Sequence, residues 1–487
     1  MPQPHYQPHP VFSSIGEGFF DIVEPAAFPM HRLRYRNQPW AERIGLGDLD
    51  ESEWIERMAK FSPLPENLEK PLALRYHGHQ FRNYNPYLGD GRGFLYAQVR
   101  DPQGGRLLDI ATKGSGRTPW SRGADGRLTL KGGFREALAT EMLEALGVYT
   151  SKTFSLIETG ESLVRHDEPS PTRACVLVRL GHAHIRFGSF QRYAYLEEYD
   201  RLRRLLEFSV EHYTPYLSDA SDLPAAFFRD VVIRSADLCA SWIAAGFVHG
   251  VLNTDNMNIC GESFDYGPYR FLPRYDPRFT AAYFDESGLY AFGRQPMAVF
   301  WNLQQLALAL LPLTETARLV EGLQIFEDVF ARSMARHLLR RLGLCERGIL
   351  ADTALVQATV AFLEESAIAY EQFFFDWYGG EASEQRAKES PVVSLYRGES
   401  FDIWRTLIGE YTENDPTCLE HPYFQQSYPC SLLIDEIEAL WQPIAEQDDW
   451  SAFSKKIDAI REKGQALGHR VAQGSTHLPI HALDGSF

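Results

Sequence analysis

The chain has 487 residues, 44% of them hydrophobic and 13% aromatic, with a formal net charge of −17. That length allows two or three packed domains, and the acidity argues against broad nucleic-acid binding, which needs a basic footprint. It suits a protein that holds an anionic ligand in a local basic pocket. The six cysteines, Cys175, Cys239, Cys260, Cys345, Cys418 and Cys430, form no CxxC pair. A zinc ribbon is therefore not expected and reduced thiols are, with Cys418 and Cys430 open to pairing under oxidation. The N-terminal MPQPHYQPHPVF has no charged segment leading into an apolar one. The longest apolar stretch, Trp301–Leu313, is too short to span a bilayer. The expectation is a cytoplasmic protein with no membrane partner.

In chain order, residues 1–75 read as an irregular extension with one helix near Leu49–Phe61. Gly93–Arg100 and Arg106–Lys113 alternate as strands across the turn-like Asp101–Gly105. Phe134–Leu146 has helical spacing and stops at Gly147. Cys175–Leu180 is a short apolar strand. Residues 76–192 thus form a strand-rich segment. The pattern then turns helical over 193–380: Leu196–Tyr213, Pro224–Ala245, Met297–Leu311 and Thr314–Leu342. Residues 381–487 are a mixed extension with a helix-prone tail at Ile434–Val471. The fold class is α+β, and this order suits a two-lobed nucleotide-binding fold better than a doubly wound sheet.

Four features carry chemistry. Gly89-Asp90-Gly91-Arg92-Gly93 precedes a strand, where glycines let backbone approach a phosphate; a tight hairpin turn is the plainer alternative. Lys113 ends a strand, and Glu136 follows 23 positions later on a helix. Kinase-like folds pair such a lysine with a helix glutamate so that the ammonium meets nucleotide phosphates. Glu141 and Glu144 on the same helix compete for that role. Between them, Gly114–Arg127 holds four glycines and three arginines in fourteen residues. Guanidinium forks and free amides suit a polyphosphate, although the Gly-Lys-Ser/Thr of a Walker loop is missing. Finally, His249-Gly250-Val251-Leu252-Asn253-Thr254-Asp255-Asn256 and Asp265-Tyr266-Gly267 follow the His-x-Asp-x-x-x-x-Asn and Asp-x-Gly order of kinase-like enzymes. Asn256 and Asp265 fill the metal-ligand places. Val251 stands where the base is usually found, so Asp255 takes that role in this reading. His249 reads as structural, as do the pairs His77/His79 and His182/His184.

Taken together, these residues resemble the selenoprotein-O family, pseudokinases that act as protein adenylyltransferases. The matching stretches include Gly78–Phe81, Leu88–Arg92, Lys113–Pro119, Asp125–Arg127, Arg135-Glu136, Ile185–Gly188, Asn253–Met257, Asp265–Pro268, Gln295-Pro296 and Trp301–Leu303. The resemblance implies a protein-kinase-like fold that binds ATP reversed, with the α-phosphate facing an incoming protein hydroxyl and pyrophosphate leaving. It implies nucleotide contacts from Gly89, Gly91, Arg92, Lys113 (paired with Glu136), Asp125, Gly126, Arg179, Arg186 and Asp265. Asp255 would be the base, and Asn256 with Asp265 would hold Mg2+ or Mn2+. The sequence departs from the family's pattern at His77, Arg82, Lys131-Gly132-Gly133 and in the C-terminal third, which lacks the terminal cysteine or selenocysteine motif. Two other readings are a small-molecule kinase of the aminoglycoside-phosphotransferase type, to which His249-Gly250 is similar, and a non-catalytic ATP-binding scaffold.

Overall fold

The computed structural model describes residues 6–166 and 168–468. Its strands are β1 Phe20–Ile22, β2 Arg32–Arg36, β3 Leu72–Leu74, β4 Gly78–Gln80, β5 Asn83–Asn85, β6 Leu95–Arg100, β7 Leu107–Lys113, β8 Leu128–Thr129, β9 Lys152–Leu163, β10 Thr172–Gly181, β11 Phe247–His249 and β12 Tyr269–Phe271. The helices are α1 Gln38–Arg43, α2 Glu51–Met58, α3 Leu130–Ala145, α4 Phe187–Tyr195, α5 Tyr199–Tyr213, α6 Leu223–Ala244, α7 Gln295–Leu310, α8 Thr316–Gln324, α9 Phe326–Arg341, α10 Ile349–Ser366, α11 Tyr370–Asp376, α12 Glu384–Glu389, α13 Glu399–Ile408, α14 Ile434–Gln447 and α15 Ser451–Ala466. The result is a mixed architecture in which an antiparallel sheet precedes a large helical region.

The sheet runs β1-β3-β6-β7-β10-β9-β2, with β8 also on β10. Residues 1–75 are therefore not a separate irregular extension: they supply both edge strands and β3. These strands are three to five residues long and pair with partners far along the chain, so no local periodicity announces them. Both faces of the sheet are covered. Along β10, Val176 and Val178 point to the Trp40, Trp54 and Phe154 side, whereas Cys175 and Leu177 join the cluster around α3. The period-two alternation carries Arg179 onto the α3 face as well, and the register sets Lys113 opposite Leu177 on it.

Helix α3 starts four residues ahead of its sequence-based boundary. Thr129 caps it, its hydroxyl accepting from the Gly132 N–H at 3.1 Å, so Lys131-Gly132-Gly133 form its first turn. Two long helical stretches are broken in two: 314–342 at Ile325, and the tail at Asp448, whose backbone is left-handed at φ 57°. Residues 469–471 of the second lie outside the described residues. The α14–α15 pair folds back on α3. Lys131 meets Glu438 at 2.7 Å, Phe134 packs on Trp441 and Phe453, and Arg461 donates to Glu141 at 2.8 and 2.9 Å. The C-terminal segment is thus part of the packing around α3. All six cysteines are free thiols. Among the described residues no helix is long and apolar enough to cross a membrane.

Candidate active site

Lys113, at the end of β7, donates to Glu136 on α3 and to Asp265 Oδ1 at 2.6 Å. The two rival glutamates are engaged elsewhere: Glu141 by Arg461, Tyr35 and Asn37, and Glu144 by Lys152 at 3.2 Å and the Trp40 indole. Of the three, Glu136 is the one that meets the lysine.

Asp265 lies in a loop bracketed by the antiparallel pair β11–β12, with Phe247 opposite Phe271 and His249 opposite Tyr269. Its backbone is left-handed at φ 65°, an uncommon conformation for a non-glycine residue and one that marks functional sites. Arg179 stands 3.6 Å from Oδ1 and Arg186 4.0 Å from Oδ2. Burial alone would raise this carboxyl. Lys113, then Arg179 and Arg186, outweigh it and hold the group well below the usual carboxylate range.

Arg186 links three acidic residues. It donates to the Asp255 backbone carbonyl at 2.9 Å, reaches Asp90 at 3.3 Å, and lies near Asp265. Its guanidinium is stacked over Tyr76 at 4.4 Å and Phe264 at 5.0 Å. Asp255 is buried, and its Oδ1 has no hydrogen-bond partner. Burial pushes its carboxyl up to about 7, although Arg186 pulls the other way. Asn256 donates its side-chain N–H to the Val251 carbonyl at 2.9 Å, a bond that does not use Oδ1.

The loop from 249 to 256 is held from three sides. Gln295 accepts from the His249 N–H at 2.9 Å and donates to Phe247 O at 3.0 Å; Asn302 donates to Leu252 O at 2.8 Å. Asn253 Oδ1 accepts from the Phe81 N–H and the Tyr290 hydroxyl. His249 is buried with both ring nitrogens engaged, by Phe264 O and the Val251 N–H, as a structural residue would be. His77 and His79 bond to Tyr84, Arg192 and Gln191, and His182 and His184 to Glu262 and Asp109. Among the described residues no three His, Cys, Asp or Glu side chains form a metal cluster.

The structure brings Lys113, Glu136, Arg179, Arg186 and Asp265 into one network, with Asp255 and Asn256 beside it. Arg92 is exposed, and its charge is felt by Asp265. Gly89 and Gly91 receive Trp120 of the arginine-rich loop: a Cβ at Gly89 would lie 2.3 Å from the indole, and one at Gly91 2.7 Å from the Trp120 carbonyl. Gly126, at φ 70°, packs on the Gly116 carbonyl. Asp125 stands outside the network, its carboxylate engaged by Arg165 at 2.8 and 3.1 Å and by the Arg127 N–H. Sequence reasoning missed Asp90, Tyr76 and the anchoring roles of Gln295 and Asn302. Asp90 was discernible between its two glycines; nothing local marks Tyr76.

A family profile described as "Protein adenylyltransferase SelO" matches residues 3–461. Several proteins named "Protein nucleotidyltransferase YdiU" align along almost their whole length. The one from Gloeobacter violaceus is 44% identical over 467 residues, covering 93% of this chain and 94% of its own. Those from Trichormus variabilis and Synechocystis are 42% and 43% identical, again over 93% of this chain and over 96% and 97% of theirs. The chain is an enzyme of the transferase class and belongs to the SelO family of nucleotidyltransferases.

Proposed function

We propose that the protein is a protein adenylyltransferase with a protein-kinase-like, two-lobed fold, moving AMP from ATP to serine, threonine or tyrosine hydroxyls of other proteins. The observation that carries this reading is the pairing of a carboxyl poised near neutrality, Asp255, with a strongly ionised one, Asp265, beside Lys113, Arg179 and Arg186.

In this mechanism Lys113, Arg179 and Arg186 bind the polyphosphate, with Arg92 and the Gly89–Gly93 turn at its edge. Glu136 orients Lys113. The acceptor oxygen attacks the α-phosphorus, its proton passes to Asp255, and the bond from the α-phosphorus to the bridging oxygen breaks, releasing pyrophosphate. A loose transition state asks little base strength, so Val251 at the usual base position is no obstacle. Charge builds on the leaving group, where the arginines stabilise it.

The residues present fit a divalent cation. Asn256 Oδ1 and the Asp265 carboxylate are hard oxygen donors, and Mg2+ commonly takes only one or two protein ligands beside substrate phosphates. Such an ion, Mg2+ or Mn2+, would neutralise phosphate charge. The free thiols suit a reducing compartment, and we place the protein in the cytoplasm on that ground.

The test is incubation with protein acceptors and ATP labelled separately at the α- and γ-phosphate, with Mg2+ and Mn2+ compared. Label from the α position retained on protein is expected. Label from the γ position alone, on a protein or a metabolite, would mean kinase chemistry instead.

A further inference from the structure

The β4–β5 hairpin is joined by a two-residue turn, Phe81-Arg82, with both residues left-handed at φ 48° and 64°. Turns of this kind favour Asn-Gly, and two bulky residues there cost stability. Strain of this sort persists where surrounding structure enforces it. Here the hairpin backbone is tied to the loop that carries the base. The His79 N–H donates to Thr254 Oγ1 at 2.7 Å, and the Phe81 N–H to Asn253 Oδ1 at 3.1 Å. A Cβ at Gly78 would lie 3.1 Å from Asp255 Oδ1, so the base of the hairpin rests against that carboxyl.

A continuous run of ring contacts crosses this hairpin. Tyr195, 58% exposed, stacks on Tyr84 at 4.9 Å; Tyr84 meets His79 at 5.0 Å; His79 meets Trp301 at 5.2 Å. Arg82 lies over Trp301 at 5.4 Å and is exposed, with no carboxylate partner among the described residues. Of these rings Tyr195 is exposed, whereas Tyr84, His79 and Trp301 are half-buried, so the accessible part of the run is Tyr195 at one end and Arg82 over Trp301 at the other. In a chain of net charge −17, an unpaired guanidinium there is the local device that would admit an acidic partner.

We infer that this hairpin, with Tyr195 and Trp301, is the docking platform for the acceptor protein, and that it takes an extended segment with an acidic side chain near the modified hydroxyl. The inference rests on the protein-acceptor reading above. The aromatic rings hold the segment, Arg82 pairs with its carboxylate, and the tie to residues 253–255 brings the hydroxyl to Asp255.

Fluorescein-labelled peptides with one central serine, flanked by glutamates or by lysines, test this by anisotropy against the full-length protein. The glutamate peptide is expected to bind at least tenfold more tightly. Arg82→Glu should reverse the order, and Trp301→Leu should weaken the glutamate peptide, while the ATP-induced rise in melting temperature stays unchanged in both. Equal binding of the two peptides, or a preference that survives Arg82→Glu, overturns the platform. Transfer of α-label is followed in parallel. Selective docking without label would fell the transfer reading and leave the platform; label on both peptides alike would do the reverse.

Discussion

Two loops ten residues apart treat the same side chain in opposite ways. Asp265 has Lys113, Arg179 and Arg186 around its carboxylate and stays ionised. Asp255 is buried where Asp265 is half-buried; Arg186 meets its backbone carbonyl rather than its carboxyl, and Oδ1 has no partner. Burial therefore prevails and its proton affinity reaches the neutral range. Environments that push two carboxyls apart assign them different work. One becomes a fixed negative charge suited to a cation, the other a group able to exchange a proton.

Removing the fixed charge should cost most. Asp265→Asn is expected to lower AMP transfer about a thousandfold, read as α-label on acceptor protein, because the phosphate charge loses its counter-ion. A variant within tenfold of the parent would end the assignment. Asp255→Asn should cost about a hundredfold. In the parent, transfer at saturating ATP should rise with pH through about 7 and level off above it, since the base works as the carboxylate. The variant's residual rate should be flat across that range.

Stability gives a second handle. The folded state holds the Asp255 proton more tightly than the unfolded chain, whose carboxyl has its ordinary affinity near 3.8. Folding stability is therefore lost as pH rises from about 4 through about 7. Asp255→Asn removes that loss, so thermal or urea melts should show the variant gaining on the parent across this window, by at most about 4 kcal/mol at pH 8. A constant difference at all pH values would show that the carboxyl is not perturbed. The smallest effect is a shift. Arg186 favours the Asp255 carboxylate, so Arg186→Gln should move the rising limb of the rate profile up by about one pH unit.

Much of this site could be read from residue order. Lys113, Glu136, Asn256 and Asp265 sit in a spacing that chemistry restricts. A glutamate that pairs with a strand lysine must lie on the next helix, yet choosing among Glu136, Glu141 and Glu144 needed the helix's neighbours, since Arg461 and Lys152 remove the rivals. Strands β6 and β7 alternate clearly and were visible. The 12-residue β9 was not, because Gly160, Glu161 and Ser162 break its apolar pattern and its pairing energy comes from β2 and β10. The edge strands before residue 75 and the return of α14–α15 to α3 depend on contacts across hundreds of residues, which local periodicity does not encode.

That last contact has a consequence for the order of synthesis. The side of α3 that carries Lys131, Phe134 and Glu141 is covered by Glu438, Trp441, Phe453 and Arg461. While the chain is being translated, this apolar and charged surface stays bare for some three hundred residues after the helix itself has been made. The helix that presents Glu136 gains its full support only when the final helical pair has left the ribosome, so an unfinished chain carries the proposed nucleotide site unfinished.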